Sequence, residues 1–382
     1  MKSKYPYGIN SSNDGEIVMY FNVHDIVKLK IQTNIKQKIF DILAFFREFK
    51  ESFSSDENDI DIAISDYYLH PRFREYMTIS ESSKLYLYKN NWLDIPQDNV
   101  CFNLLDKPLK IFYNTFSPLP LTFLMELILL DKGYTFIHAA SVEKDGEAYL
   151  FPAFPGAGKT FLVSLLLKNR EDCKLLGDDL VIINKKEVLS FPRDFAVYPY
   201  HLDILRVKDK NAIRKLTIIK LLNTLYNSKF NKLLVAMISD FIEKIGFNSD
   251  EFKNIFGLIK ASHARIPPRE LFSNHSIGKR GDLRGIYYLS KVSDRSLSKV
   301  TIEEINATEL ARICTYIMLH EWGQVMSILT IYCGLSEFSL YSFFTKINDL
   351  LNRIFAQHRC YQIKVPIKLD YRILCDILNE VM

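Results

Sequence analysis

The stretch Ala153-Phe154-Pro155-Gly156-Ala157-Gly158-Lys159-Thr160 decides how this chain is read. It fits a relaxed phosphate-loop (Walker A) pattern, with Ala153 where a first glycine usually stands. The apolar run AYLF before it reads as a strand, and FLVSLLLK after it reads as an amphipathic helix. That order has a physical purpose. Small residues let successive backbone N–H groups converge on phosphate oxygens, and the helix N-terminus adds the positive end of its dipole. Pro155, Gly156, Ala157 and Gly158 would form the cradle. Lys159 would reach the β- and γ-phosphates, and the Thr160 hydroxyl would bind Mg²⁺. An ordinary glycine turn is the plain alternative, but a GKT at a strand–helix junction favours nucleotide binding.

Working outward, Asp178-Asp179 lies 19 residues past Lys159, between LLG and LVII. The pair is expected at the start of a strand, with its two carboxylates on different faces. One could hold or order a metal while the other takes a proton from an acceptor hydroxyl. Like-charge crowding could raise one of the two pKa values. His138, in IHAAS, precedes Lys159 by 21 residues, one hairpin earlier. That spacing could bring its imidazole beside the phosphate loop, although a buried strand histidine with a purely structural role would look the same. The other seven histidines have no ligand spacing.

Composition bounds the rest. The chain has 382 residues, 49 Lys plus Arg against 45 Asp plus Glu, and 48% hydrophobic residues. These values exclude a disordered chain and do not support a dedicated nucleic-acid binder. The longest apolar run, PLPLTFLMELILL at 118–130, is too short to span a membrane and contains Glu126, so a buried helix is expected. The start shows no secretory signal. Six scattered cysteines without a CxxC pair point to a reducing, cytoplasmic setting.

The expected organisation is α/β. An N-terminal α+β domain covers 1–117. Its strands are EIVMYFNV, 84–88 and 99–113, the last broken at 106–108, and its helix lies within 34–50. A nucleotide-binding domain covers 118–382. There a helix at 121–131 precedes strands at 135–142 and 147–154, a helix at 159–168, and strands at 175–184 and 188–191. A helical insertion is expected at about 207–263, where ten Lys/Arg face five Asp/Glu, more simply a solvated face than a phosphate lid. Strand character resumes at 286. Helices follow from 303, then a strand at 361–365 and a last helix at 371–381.

His138, FPGAGKT and GDDLVII, in that order, resemble the HPr kinase/phosphorylase superfamily, whose nucleotide site is similar to that of phosphoenolpyruvate carboxykinases. The resemblance covers about 118–195 well and 265–382 more loosely. It implies an HPr-kinase-like phosphate-loop core with a mixed sheet. Lys159 and Thr160 would serve phosphate and magnesium, Asp179 would be the proton acceptor, and Asp178 would support the metal. His138 would be the family's active-site histidine, and Arg265 or Arg269 its later basic residue. Phe161 stands where the HPr-phosphorylating enzymes carry an acid, and no second glycine-rich segment follows. The chain therefore looks more like relatives that phosphorylate small molecules or peptides.

The expected function is ATP- and magnesium-dependent phosphoryl transfer to a hydroxyl of a small molecule or of a peptide or protein serine. The alternative is a nucleotide-binding regulator without catalysis. A carboxykinase-like lyase is less well supported, because its additional metal-binding His and Lys are not found. No nucleic-acid partner and no membrane span are expected, and an oligomer is possible.

Overall fold

The computed structural model describes residues 10–11, 16–49, 57–65, 77–81, 84–114, 118–197, 213–214, 217, 264–271, 277–292 and 300–366. The expected insertion at 207–263 lies almost wholly outside these residues, and the expected helix at 371–381 lies entirely outside them. The described chain is mixed α/β, with two large mixed sheets.

The first sheet holds nine strands: β1 (Asn10–Ser11), β2 (Ile17–Val23), β3 (Val27–Thr33), β4 (Ile60–Ile64), β5 (Met77–Glu81), β6 (Lys84–Lys89), β7 (Trp92–Ile95), β8 (Val100–Asn103) and β9 (Leu109–Tyr113). Their order is β1-β2-β3-β4-β9-β8-β7-β6-β5. The β3–β4 and β4–β9 pairs are parallel. The parallel pair β3–β4 needs a crossover, and α1 (Lys36–Phe45) lies on it. In β2 and β3 buried residues alternate with half-buried ones, the mark of a sheet with one face on a core.

The second sheet carries the phosphate loop. After α2 (Pro118–Asp131) come β10 (Thr135–Ile137), β11 (Ala139–Lys144), β12 (Glu147–Pro152), α3 (Lys159–Asn169), β13 (Cys173–Gly177), β14 (Val181–Ile183) and β15 (Glu187–Leu189). The short ribbon β16 (Phe195–Val197) and β17 (Ala264–Ile266), α4 (Pro268–Leu271) and β18 (Arg280–Val292) follow. The end is β19 (Thr301–Glu304), α5 (Ala307–Glu321), α6 (Gly323–Leu335), α7 (Leu340–Phe355) and β20 (Arg359–Pro366). The order is β10-β14-β15-β18-β12-β11-β13, with β20 on the later half of β18 and β19 beyond it. β12–β18 and β18–β20 are parallel pairs.

Both faces of β12 are buried. Ala148 and Leu150 of β12 join a core that runs through α2, α5–α7 and the first sheet. Tyr149 and Phe151, one residue out of phase, pack with Leu162 and Leu166 of α3. Buried Glu126 ties α2 to this sheet, accepting hydrogen bonds from Thr135 Oγ1 and from Phe136 N–H at 2.7 Å.

Two local expectations are corrected. The strand expected over 135–142 is broken at His138, because the chain changes partners there. Ile137 pairs with Val181, whereas Ala139 pairs with Pro152. The Asp pair stands at the junction between β13 and β14 rather than at the start of a strand. A tight junction is needed, and Gly177 permits it: a Cβ there would lie 2.5 Å from the Leu180 carbonyl oxygen.

Candidate active site

The site is built where β12 ends and α3 begins. Gly156 (φ 76°) and Gly158 (φ 101°) take left-handed backbone that side chains avoid, which folds the loop back toward the helix N-terminus. Ala157 N–H donates to the Phe154 carbonyl at 3.2 Å and closes the bend. Pro155 and Gly156 are exposed on its outer side. Lys159 is buried as the first residue of α3, and its Nζ donates to the Ala153 carbonyl at 2.8 Å. Burial lowers its pKa, against the opposing pull of Asp179 and Asp178.

The junction after β13 delivers both carboxylates to this helix end. Thr160 Oγ1 donates to Asp178 Oδ2 at 3.1 Å. Asp178 is buried, and among the described residues its Oδ1 has no hydrogen-bond partner. Burial, with Asp179 beside it, raises its pKa to about 7. Asp179 has a different partner: with 42% of its side chain exposed, it accepts a hydrogen bond from Arg193 Nη1 at 2.9 Å. Burial works against its charge, yet Arg193 above all, with Lys159 nearby, holds its pKa below the ordinary carboxylate value. The raised carboxyl of the pair is thus Asp178, and Asp179 is the ionised one.

His138, at the break between β10 and β11, completes the cluster. Its Nδ1 lies 3.7 Å from Asp179 Oδ1 and 3.4 Å from Glu321 Oε1. Burial, with the Lys159 charge beside it, pushes its pKa down to about 4, so the ring is neutral at pH 7 and neither contact is an ion pair. Donor atoms of His138, Asp179 and Glu321 all lie within 4.8 Å of one another.

The structure therefore brings Lys159, Thr160, Asp178, Asp179 and His138 together. It also adds two residues that sequence reasoning missed. Arg193 reaches Asp179 from the segment after β15, and Glu321 enters at the C-terminal end of α5. Neither carries a local motif. Of the two later arginines, exposed Arg265 in β17 adds its charge to the field on Asp179. Arg269 is engaged elsewhere, its guanidinium forked onto Glu48 at 2.6 and 2.9 Å.

Among the described residues no helix is long and apolar enough to cross a membrane. Compared with known protein families and with curated proteins, the chain matches none.

Proposed function

We propose that this chain is an ATP-dependent kinase of HPr-kinase-like type, passing the γ-phosphoryl group to a hydroxyl of a small molecule or of a peptide or protein serine. The observation that carries the reading is the Thr160–Asp178 hydrogen bond at the first turn of α3, with Asp179 directly beside it. In phosphate-loop enzymes a loop hydroxyl and a strand-end Asp share the metal. The order His138, phosphate loop and Asp pair supports the superfamily resemblance.

Magnesium fits the donors present. Thr160 and Asp178 offer hard oxygens, and buried Asp178 Oδ1 lacks a hydrogen-bond partner among the described residues. When bound there, the ion would offset charge developing on the transferred phosphoryl group.

The remaining roles fall to the chain itself. Backbone N–H groups of 156–160 hold the phosphates, and Lys159 turns from the Ala153 carbonyl onto the γ-phosphate. Ionised Asp179 orients the acceptor hydroxyl and accepts its proton. The new bond joins the acceptor oxygen to the γ-phosphorus, the bond to the β,γ-bridging oxygen breaks, and ADP leaves. His138, with its ring neutral, walls the site beside Asp179, as does Glu321.

The five described cysteines are all unbridged, which supports a reducing, cytoplasmic setting. The test is an acceptor screen by mass shift, using metabolites and peptides, with ADP formation as the second readout. Lys159→Ala and Asp179→Asn should both abolish transfer. Nucleotide binding without transfer to any acceptor would favour a catalytically silent regulator instead.

A further inference from the structure

We infer that Arg193 is a positioning residue for this transfer, held over Phe45 by the N-terminal sheet unit so that its guanidinium fixes the direction of Asp179. The inference rests on the kinase reading above and deepens it. The Arg193–Asp179 contact is 2.9 Å, and the guanidinium carbon stands 5.3 Å from the centroid of the Phe45 ring at the end of α1. A cation over an aromatic face is attracted by the ring's quadrupole. Arg193 therefore bridges two parts of the molecule, a nucleotide-site carboxylate and the N-terminal helix.

The segment that carries Arg193 is tied to both sides. Toward the nucleotide site, Phe191 N–H donates to the Leu176 carbonyl at 3.0 Å, on the strand that ends at the Asp pair. The Phe191 ring also meets Phe136, two residues before His138, at 5.0 Å. Toward the N-terminal unit, Phe191 stacks on Phe49 at 5.4 Å and meets Phe45 edge-on at 5.8 Å. His24 adds a polar tie. It sits at φ 54° in the β2–β3 turn, and its Nε2 lies 2.7 Å from the Ser190 carbonyl. A carbonyl only accepts, so Nε2 carries the hydrogen. Residues 190–193 thus form a strap pinned at both ends, and a planar arginine fork at its tip can set a carboxylate's orientation. The N-terminal unit so acquires a role in the chemistry that does not require it to touch the phosphates.

The full-length chain carrying Arg193→Met, Arg193→Lys, Phe45→Leu or the Met/Leu pair tests this. Nucleotide Kd, kcat and acceptor KM are measured for each. Arg193→Met should lower kcat about tenfold to a hundredfold, the scale of a misplaced reacting group, with nucleotide Kd within about twofold of wild type. Arg193→Lys should recover part of the loss, and Phe45→Leu should lower kcat less. The double variant should be no worse than Arg193→Met, since both changes act through one contact. A kcat for Arg193→Met within about twofold of wild type overturns the inference, as does a loss that appears only in nucleotide Kd. If Arg193→Met does not fold, Arg193→Lys and Phe45→Leu carry the test. If the wild-type chain binds nucleotide but transfers nothing, the kinase reading fails separately. The Arg193–Asp179 coupling is then read in thermal unfolding of Arg193→Met, Asp179→Asn and the double variant. Non-additive shifts uphold the contact, and additive shifts overturn it.

Discussion

Thr160 Oγ1 donates to Asp178 Oδ2 across 3.1 Å, joining the first turn of α3 to the end of β13. The bond links the two sequence segments that the reading assigns to one magnesium ion. Thr160→Ala and Asp178→Asn should each weaken magnesium-dependent nucleotide binding about tenfold to a hundredfold, the scale of a charge-assisted bond worth ~1.5–3 kcal/mol. Thr160→Ser should retain it. Titration calorimetry with and without magnesium checks this, and the effect should shrink when the ion is withheld.

Gly177 is required by close approach rather than by its φ. A Cβ at 177 would meet the Leu180 carbonyl oxygen at 2.5 Å and Val181 Cγ1 at 2.6 Å. Gly177→Ala should cost about 1–3 kcal/mol of stability, the usual scale of overpacking, and should displace the Asp pair as well. Gly334→Ala in α6, where a Cβ meets nothing within 4 Å, should leave stability unchanged or improve it by up to about 1 kcal/mol. Denaturant unfolding of the two variants separates backbone crowding from glycine replacement as such.

Buried Glu126 makes stability depend on pH. Burial lifts its pKa from 4.5 to about 8, against the hydrogen bonds from Thr135 and Phe136. The folded value exceeds the unfolded one, so the protonated side chain is favoured in the fold. Its contribution is full below about pH 4.5 and is lost as pH rises through about 8. In Glu126→Gln the amide oxygen can still accept from Phe136 N–H, and its NH₂ can donate to Thr135 Oγ1. The Thr135 hydroxyl then keeps its own bond to the Phe136 carbonyl. The variant should therefore gain on wild type as pH rises across that window, by at least about 2 °C in Tm at pH 8.5. A difference in Tm that stays flat from pH 5 to pH 8.5 would contradict this.

What was legible in the sequence is what local chemistry specifies. Gly156 and Gly158 mark the bend by their backbone freedom, and Lys159 and Thr160 follow from their place at its end. The turn between the strands expected at 135–142 and 147–154 was legible for the same reason: Asp145 and Gly146, which lie in it, are both at positive φ. The strand VKLKIQT at 27–33 went unread, although its period-two alternation is plain. The break at His138 could not be read, because TFIHAASV is buried on both sides of it and only the change of pairing partner reveals it. Arg193 and Glu321 were illegible for a different reason. Each reaches the site through tertiary packing from a segment with no motif of its own.

The most direct measurement is nucleotide binding by the intact chain with and without magnesium, for wild type and Lys159→Met. The account predicts magnesium-dependent binding of ATP or ADP by wild type, weakened at least about a hundredfold in Lys159→Met, as loss of a buried charged contact to phosphate requires. No affinity of wild type for any purine di- or triphosphate, or equal affinity in the two proteins, would contradict it.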